Sequence, residues 1–184
     1  MIIGIASDHA WHLGVLSSRI HLDWTFANCG LMGVATFEQG HRYTKSKIID
    51  TFPFPETSSE RKKVMAAIAE DLDATRRAAL DDSPSLTMTG LYNFVAAIRD
   101  GTLPTEQEAA AVRARAFIVA KLHDDLDLAV ADAYGWGDEW RRAPLPPAEI
   151  VRRLVALNAA RVAEEANGHV RWLRPDYQIP RFGG

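Results

Sequence analysis

The densest run of residues able to hold a charged partner is His41-Arg42-Tyr43-Thr44-Lys45-Ser46-Lys47. Three cations, Arg42, Lys45 and Lys47, are interleaved with the phenol of Tyr43 and the hydroxyls of Thr44 and Ser46. Guanidinium and ammonium groups neutralise phosphate oxygens, and hydroxyls reach sugar and base edges, so this pattern suits a nucleic-acid backbone. A solvated edge strand guarded by lysines has the same composition. Other groups are weaker. Asp50 followed by Glu60-Arg61-Lys62 fits the loose spacing of a PD-(D/E)xK nuclease, whose chemistry needs both carboxylates and the lysine on one metal. Glu60 is already explained as the second half of a capping box with Thr57, which makes a helix start the plainer reading. Asp8, His9, His12 and His21 include two histidines three apart, but no third ligand stands at clear spacing. His123 and Asp127 are four apart beside Asp124 and Asp125; a structural hydrogen bond explains them. The tail Arg171-Trp172-Leu173-Arg174-Pro175-Asp176-Tyr177 mixes guanidiniums with rings. The acidic helices before it predict that it wraps back, with rings buried and arginines paired.

Nothing in the sequence matches a glycine-rich nucleotide loop, a Walker A loop, a G-x-S-x-G elbow, an F-x-G-x-G cofactor loop or an Asp/Asn-Pro-Pro-aromatic methyl-transfer motif. No catalytic residue, cofactor ligand or metal ligand is assigned.

The elements that must position these groups change character along the chain. Met1–Ala6 reads as a short strand, and Ser7 or Asp8 can cap a helix carrying Trp11, Leu13 and Leu16. A second helix covers Ser18–Phe26, with Gly30 as its C-cap. Leu31–Gly40 reads as a loop and Tyr43–Phe52 as a strand. Phe52-Pro53-Phe54-Pro55 must be extended, since proline fixes its own φ and restricts the residue before it. Beyond it the signals are helical. Thr57-x-x-Glu60 opens a helix with Val64, Ile68, Leu72 and Ala79 inward, and Leu86–Ile98 forms the next. Pro104–Glu108 repeats the capping pattern before a long face of Val112, Ala116, Val119, Leu126, Val130 and Ala133 that Gly135 ends. Gly137–Pro146 reads as a linker, Pro147 opens the last helix, and 169–184 as an extended tail.

Composition agrees with this division. The chain has 184 residues, 47% of them hydrophobic and 24% charged, with a net charge of −3, which excludes a wholly disordered chain. Residues 1–55 hold four acidic and four basic side chains, whereas 56–134 hold 14 and 9. Twenty-four of the 28 alanines lie after residue 55. A uniformly basic nucleic-acid coat is excluded; a local basic patch is not. One cysteine, Cys29, excludes an internal disulfide and a Cys-rich zinc site and suggests a reducing compartment, the cytoplasm. No apolar run approaches the ~20 residues of a membrane span. The first residues lack the basic start of a signal peptide.

Several segments together resemble one family. Gly14-Val-Leu-Ser-Ser-Arg-Ile-His-Leu-Asp-Trp24, Arg42-Tyr-Thr-Lys-Ser-Lys47 and Asp50-Thr-Phe-Pro-Phe-Pro55 resemble the end of the target recognition domain in MmeI-like DNA methyltransferases of restriction–modification systems. Leu91-Tyr-Asn93, Leu122-His-Asp-Asp-Leu-Asp127 through Ala133-Tyr-Gly-Trp136, Leu154 to Asn158, Glu164-Glu165 and Val170-Arg-Trp-Leu-Arg-Pro175 are similar to its C-terminal helical region. The resemblance implies an enzyme that uses S-adenosylmethionine to methylate the N6 amine of adenine in double-stranded DNA, with its methyl-transfer motifs upstream. Those motifs are absent here, so the resemblance implies a C-terminal fragment that binds DNA without catalysis of its own.

The expected fold is mainly α, with a small α/β N-terminal segment followed by a C-terminal helical bundle. Residues 1–55 would be the end of the recognition domain and 56–184 the helical domain with its extended tail. Arg42, Tyr43, Thr44, Lys45, Ser46 and Lys47 would meet double-stranded DNA. An upstream methyltransferase domain or subunit would be the other partner, and no cofactor is expected in this chain. The competing expectation is a helical protein-interaction module that self-associates.

Overall fold

A computed structural model describes residue 4 and residues 7–32, 40–102 and 110–183, with backbone alone at 30–32 and 40–42. In chain order the elements are α1 (Ala10–Ser17), α2 (Arg19–Asn28), β1 (Gly30–Met32), β2 (Gly40–Arg42), α3 (Lys45–Ile48), α4 (Ser59–Asp81), α5 (Met88–Asp100), α6 (Ala110–Ala133), α7 (Gly137–Arg142), α8 (Pro147–Ala166) and α9 (Pro175–Phe182). The fold is mainly α. No helix among the described residues is long and apolar enough to cross a membrane.

The chain divides into two compact units. One comprises residues 9–19 and 55–144, the other 1–8, 20–54 and 145–184. These spatial units are discontinuous, unlike the sequence division into 1–55 and 56–184.

In the first unit α4 and α6 are the long helices, and α1, α5 and α7 complete it. Ser58 caps α4, its Oγ accepting from Arg61 N at 3.3 Å, so the cap falls one residue after the expected Thr57. The inward face of α4 is Met65, Ala69, Leu72 and Ala79, whereas Val64 is 53% exposed. Leu72 and Ala79 are thus buried as expected, and only in the first turns is the stripe shifted by one residue, from Val64 and Ile68 to Met65 and Ala69. Leu91 and Val95 of α5, and Ala116, Val119, Leu126 and Val130 of α6, are buried as their spacing requires. Gly14 lets α1 approach closely: a Cβ there would stand 3.1 Å from Met65 O, 3.2 Å from Leu126 Cδ1 and 3.4 Å from Ala69 Cβ. Gly135 takes φ +79°, the left-handed conformation that stops α6. Residues 137–142, expected in a linker, form α7, whose Trp140 is buried. The capping pattern at Pro104–Glu108 lies outside the described residues.

In the second unit Ile20, His21 and Trp24 of α2 are buried, together with Ile48, Phe52, Phe54, Leu145, Ile150 and Leu154. β1 and β2 pair antiparallel, Gly30 opposite Arg42 and Met32 opposite Gly40. They are the only strands among the described residues. The strands on which the α/β expectation rested do not carry it. Met1–Ala6 lies outside the described residues except for Gly4. Tyr43–Phe52 is not a strand: Thr44 is extended, Lys45–Ile48 is helical, and Ile49 N and Asp50 N both bond back to Lys45 O at 2.9 and 3.0 Å. Ile48 and Phe52 are buried while Asp50, midway between them, is exposed, which a two-residue alternation does not give. The tail is not extended either, since 175–182 forms α9. Pro147 opens α8 as expected.

Candidate nucleic-acid interface

The basic segment follows β2 and runs through α3. The side chain of Arg42 lies outside the described residues. Lys45, Ser46 and Lys47 are exposed on α3, and Tyr43 and Thr44 are half-buried at its entry. Lys45 Nζ bonds both carboxylate oxygens of Asp50, at 2.6 and 2.8 Å, which offsets part of its charge. Thr51 Oγ1 donates to Lys47 O at 2.7 Å and closes the turn after α3.

This short helix is held by α2. Trp24 Nε1 donates to Ile48 O at 3.1 Å, which satisfies one of the free carbonyls at the end of α3. His21 Nε2 and Tyr43 OH are hydrogen-bonded at 2.9 Å. The His21 ring meets Phe52 edge-on at 4.6 Å, and Phe52 meets Phe54 at 5.1 Å. Burial pushes the His21 imidazole down to about 4, so it is neutral at pH 7. Burial also raises the Tyr43 phenol. The cations thus stand on a surface whose underside is a hydrogen-bonded aromatic cluster.

The other candidates take separate places. Asp50 is bound to Lys45, and Glu60 lies in the first turn of α4. The His12 ring lies tilted at 46° against Trp11, with ring centroids 3.9 Å apart. Among the described residues no group of three His, Cys, Asp or Glu is placed to hold a metal. His123 and Asp127 take different partners. His123 Nε2 lies 2.7 Å from Tyr92 OH and 3.2 Å from Arg76 Nη2, and Arg76 also donates to Tyr92 OH. Burial, then Arg76 and Arg99, lower His123 to about 4. Asp127 Oδ1 accepts from Arg19 N at 2.7 Å, and burial raises its carboxyl to about 6. In the tail, Arg171 pairs with Glu164 at 2.8 Å, as expected. The expectation that its rings are buried is corrected: Tyr177 is 45% exposed, because α9 buries none of its residues.

S-adenosylmethionine, which the resemblance implies for the full-length enzyme, has no fitting site among these groups. A cleft of about 350 Å³ is lined by Arg61, Val64, Ile68 and Leu128, and one of about 370 Å³ by Arg19, Arg99, Asp127 and Trp140. Both are walled mostly by helix side chains, and among the described residues neither lies at a glycine-rich turn from strand to helix, so no step is derived through that cofactor.

The chain is similar to DNA methyltransferase A of Bacillus subtilis (strain 168), with 32% identity over 123 residues. The chain is related to a DNA methyltransferase. The matched region is 66% of this chain but 11% of that methyltransferase. No family model matches the chain, and no solved structure matches it.

In this methyltransferase relative, sequence reasoning found the cations but missed their supports. In the sequence His21 stands among the metal-ligand candidates, and Trp24 only closes a segment that resembles the recognition domain. The available signal was Trp24 and Ile48 as large apolar residues flanking a cationic run, but pairing across 24 positions has no local signature.

Proposed function

We propose that this chain is the C-terminal part of an MmeI-like N6-adenine DNA methyltransferase, serving as a DNA-recognition and accessory piece without methyl transfer of its own. Residues 1–55 contribute the end of the recognition region, and the helices after residue 55 form the accessory domain. Lys45 and Lys47, with Arg42, neutralise backbone phosphates, while Tyr43, Thr44 and Ser46 lie near the groove. The observation that carries the reading is the exposed pair Lys45 and Lys47 on α3, braced by Trp24 in a chain related to a DNA methyltransferase. The S-adenosylmethionine site and the methyl-transfer motifs belong to a separate domain or subunit, consistent with a match to 11% of the relative.

Fluorescence anisotropy with a labelled duplex across a potassium chloride series tests this. Binding that weakens with salt, by about 0.9 log units per log unit of salt for each phosphate neutralised, is expected. Undetectable or salt-independent binding overturns it. A self-associating helical module is the second reading, favoured by exposed Val155, Val162, Ile179 and Phe182. A constant dimer in light scattering, indifferent to DNA, supports that reading instead.

A further inference from the structure

Helix α8 runs for 20 residues, but only Ile150 and Leu154, near its start, are buried. From Val155 to Ala166 no residue of the helix is buried. Helical stability in proteins comes mostly from packing an apolar face, so the later turns of α8 have a face left to cover. That face is regular. Ala148, Arg152, Val155, Ala159, Val162 and Ala166 stand four, three, four, three and four positions apart. All six are exposed, Val155 to 52% and Val162 to 58%. Alternating steps of three and four are the spacing by which two helices pack along a seam. The stripe lies on the far side of the helix from Ile150 and Leu154.

The two ends of α8 carry opposite charge. Residues 147–153 hold Glu149, Arg152 and Arg153, whereas 161–166 hold Arg161, Glu164 and Glu165. One carboxylate serves both arginines at the start: Glu149 accepts from Arg152 Nε and Nη2 and from Arg153 Nε, each at 2.7 Å. Nη1 of Arg152 makes no bond among the described residues. At the other end the Glu165 carboxylate is exposed and has no partner among them. A second copy of the helix, laid antiparallel about a two-fold axis, complements this pattern. It sets Arg152 of each copy against Glu165 of the other, and the same register brings Val155 of each to Val162 of the other. The alanines between them let the helices approach closely, and the two helix dipoles oppose. A parallel pair would instead set like charges together at both ends.

We infer that α8 is a homodimer face, along which two copies of this chain pair antiparallel through the stripe from Ala148 to Ala166, with Arg152 of each against Glu165 of the other. This rests on the self-association considered above and holds whether or not the dimer binds DNA.

The test is sedimentation velocity of the full chain over a wide range of concentration. A face one helix long is at the small end of protein interfaces, so a monomer–dimer equilibrium that shifts with concentration is expected. Arg152→Glu and Glu165→Arg should each weaken association about tenfold, because the two-fold axis turns each reversal into two like-charge contacts. The double variant Arg152→Glu/Glu165→Arg should regain the parent's association. A change at position 165 cannot repair the lost Glu149 contact within one helix, so rescue reports the contact between copies. Val162→Lys should give a monomer. Circular dichroism accompanies each variant; every changed side chain is exposed, so the helix content of the parent should be kept. Reversals that weaken association without rescue in the double variant overturn the inference. A dimer that tolerates every α8 variant but dissociates on Phe182→Ala overturns it as well and leaves self-association standing. A parent that stays monomeric at every concentration overturns both and leaves the face to a partner of different sequence.

Discussion

The indole of Trp24 and the backbone carbonyl of Ile48, 24 positions apart, are joined by a buried hydrogen bond of 3.1 Å. That bond ties α2 to the end of the basic helix α3. Trp24→Phe keeps an aromatic ring but leaves the carbonyl of Ile48 unpaired. An unmet buried acceptor costs about 1–3 kcal/mol. Urea denaturation should show that loss, and anisotropy should show weaker duplex binding because α3 is no longer fixed. An unchanged midpoint would show that the bond contributes nothing.

Gly14→Ala places a methyl group against Met65 O, Leu126 Cδ1 and Ala69 Cβ. One of these contacts is backbone and another a short side chain, so relief requires α1 to shift. Overpacking of this kind costs about 1–3 kcal/mol, with a lower melting temperature as the readout. Glycine at position 90 has only the side chains of Leu86 and Thr87 near its added Cβ, at 3.2 and 3.4 Å, and Gly90→Ala should be milder.

Asp127 gives a pH dependence of definite sign. Its carboxyl is raised to about 6 by burial, against an ordinary 3.8. The folded chain therefore binds more protons than the unfolded chain between those values, and this group makes stability fall as pH rises through that window. Asp127→Asn retains an oxygen to accept from Arg19 N and removes the buried charge. The variant should be more stable than the parent at pH 7 by on the order of 2 kcal/mol, an advantage that shrinks toward pH 4. Melting temperatures at pH 4, 5.5 and 7 check this; a variant less stable at pH 7 would mean that the carboxylate has an ionic partner.

Two histidines, His21 buried and His123 half-buried, act with the opposite sign. His21 and His123 sit at about 4, below the ordinary 6.5, so the unfolded chain takes up their protons first as pH falls. Their contribution is complete above pH 6.5 and is lost as pH drops toward 4. His123→Gln should reduce the acid loss of stability. His21→Gln should do the same and, by removing the Tyr43 contact, weaken duplex binding at pH 7. Denaturation midpoints at pH 7, 6 and 5 decide the first point and anisotropy the second.

Much of the helical architecture was legible because its signals are local. Leu91 and Val95, the face from Ala116 to Val130, Pro147 at the head of α8 and Gly135 after α6 all follow from spacing or backbone geometry. The one-residue shift in the first turns of α4 was not legible: Val64 and Met65 are both apolar, and Met65 is the one whose backbone Gly14 of α1 approaches. Tyr43–Phe52 misled because β-branched and aromatic residues suggest a strand, whereas bonds back to Lys45 O and the indole of Trp24 fix a helical turn. Of the site, the cations were visible in composition. Their brace was not, since His21–Tyr43 and Trp24–Ile48 arise from tertiary packing.

Cys29 lies between α2 and β1, half-buried, its thiol 3.4 Å from Phe26 O, and it is the sole cysteine of the chain. A maleimide dye would therefore label one position without any cysteine having to be removed. That position is the residue after the helix that braces the basic segment, so the unaltered protein carries its own attachment point for following duplex arrival by stopped-flow fluorescence.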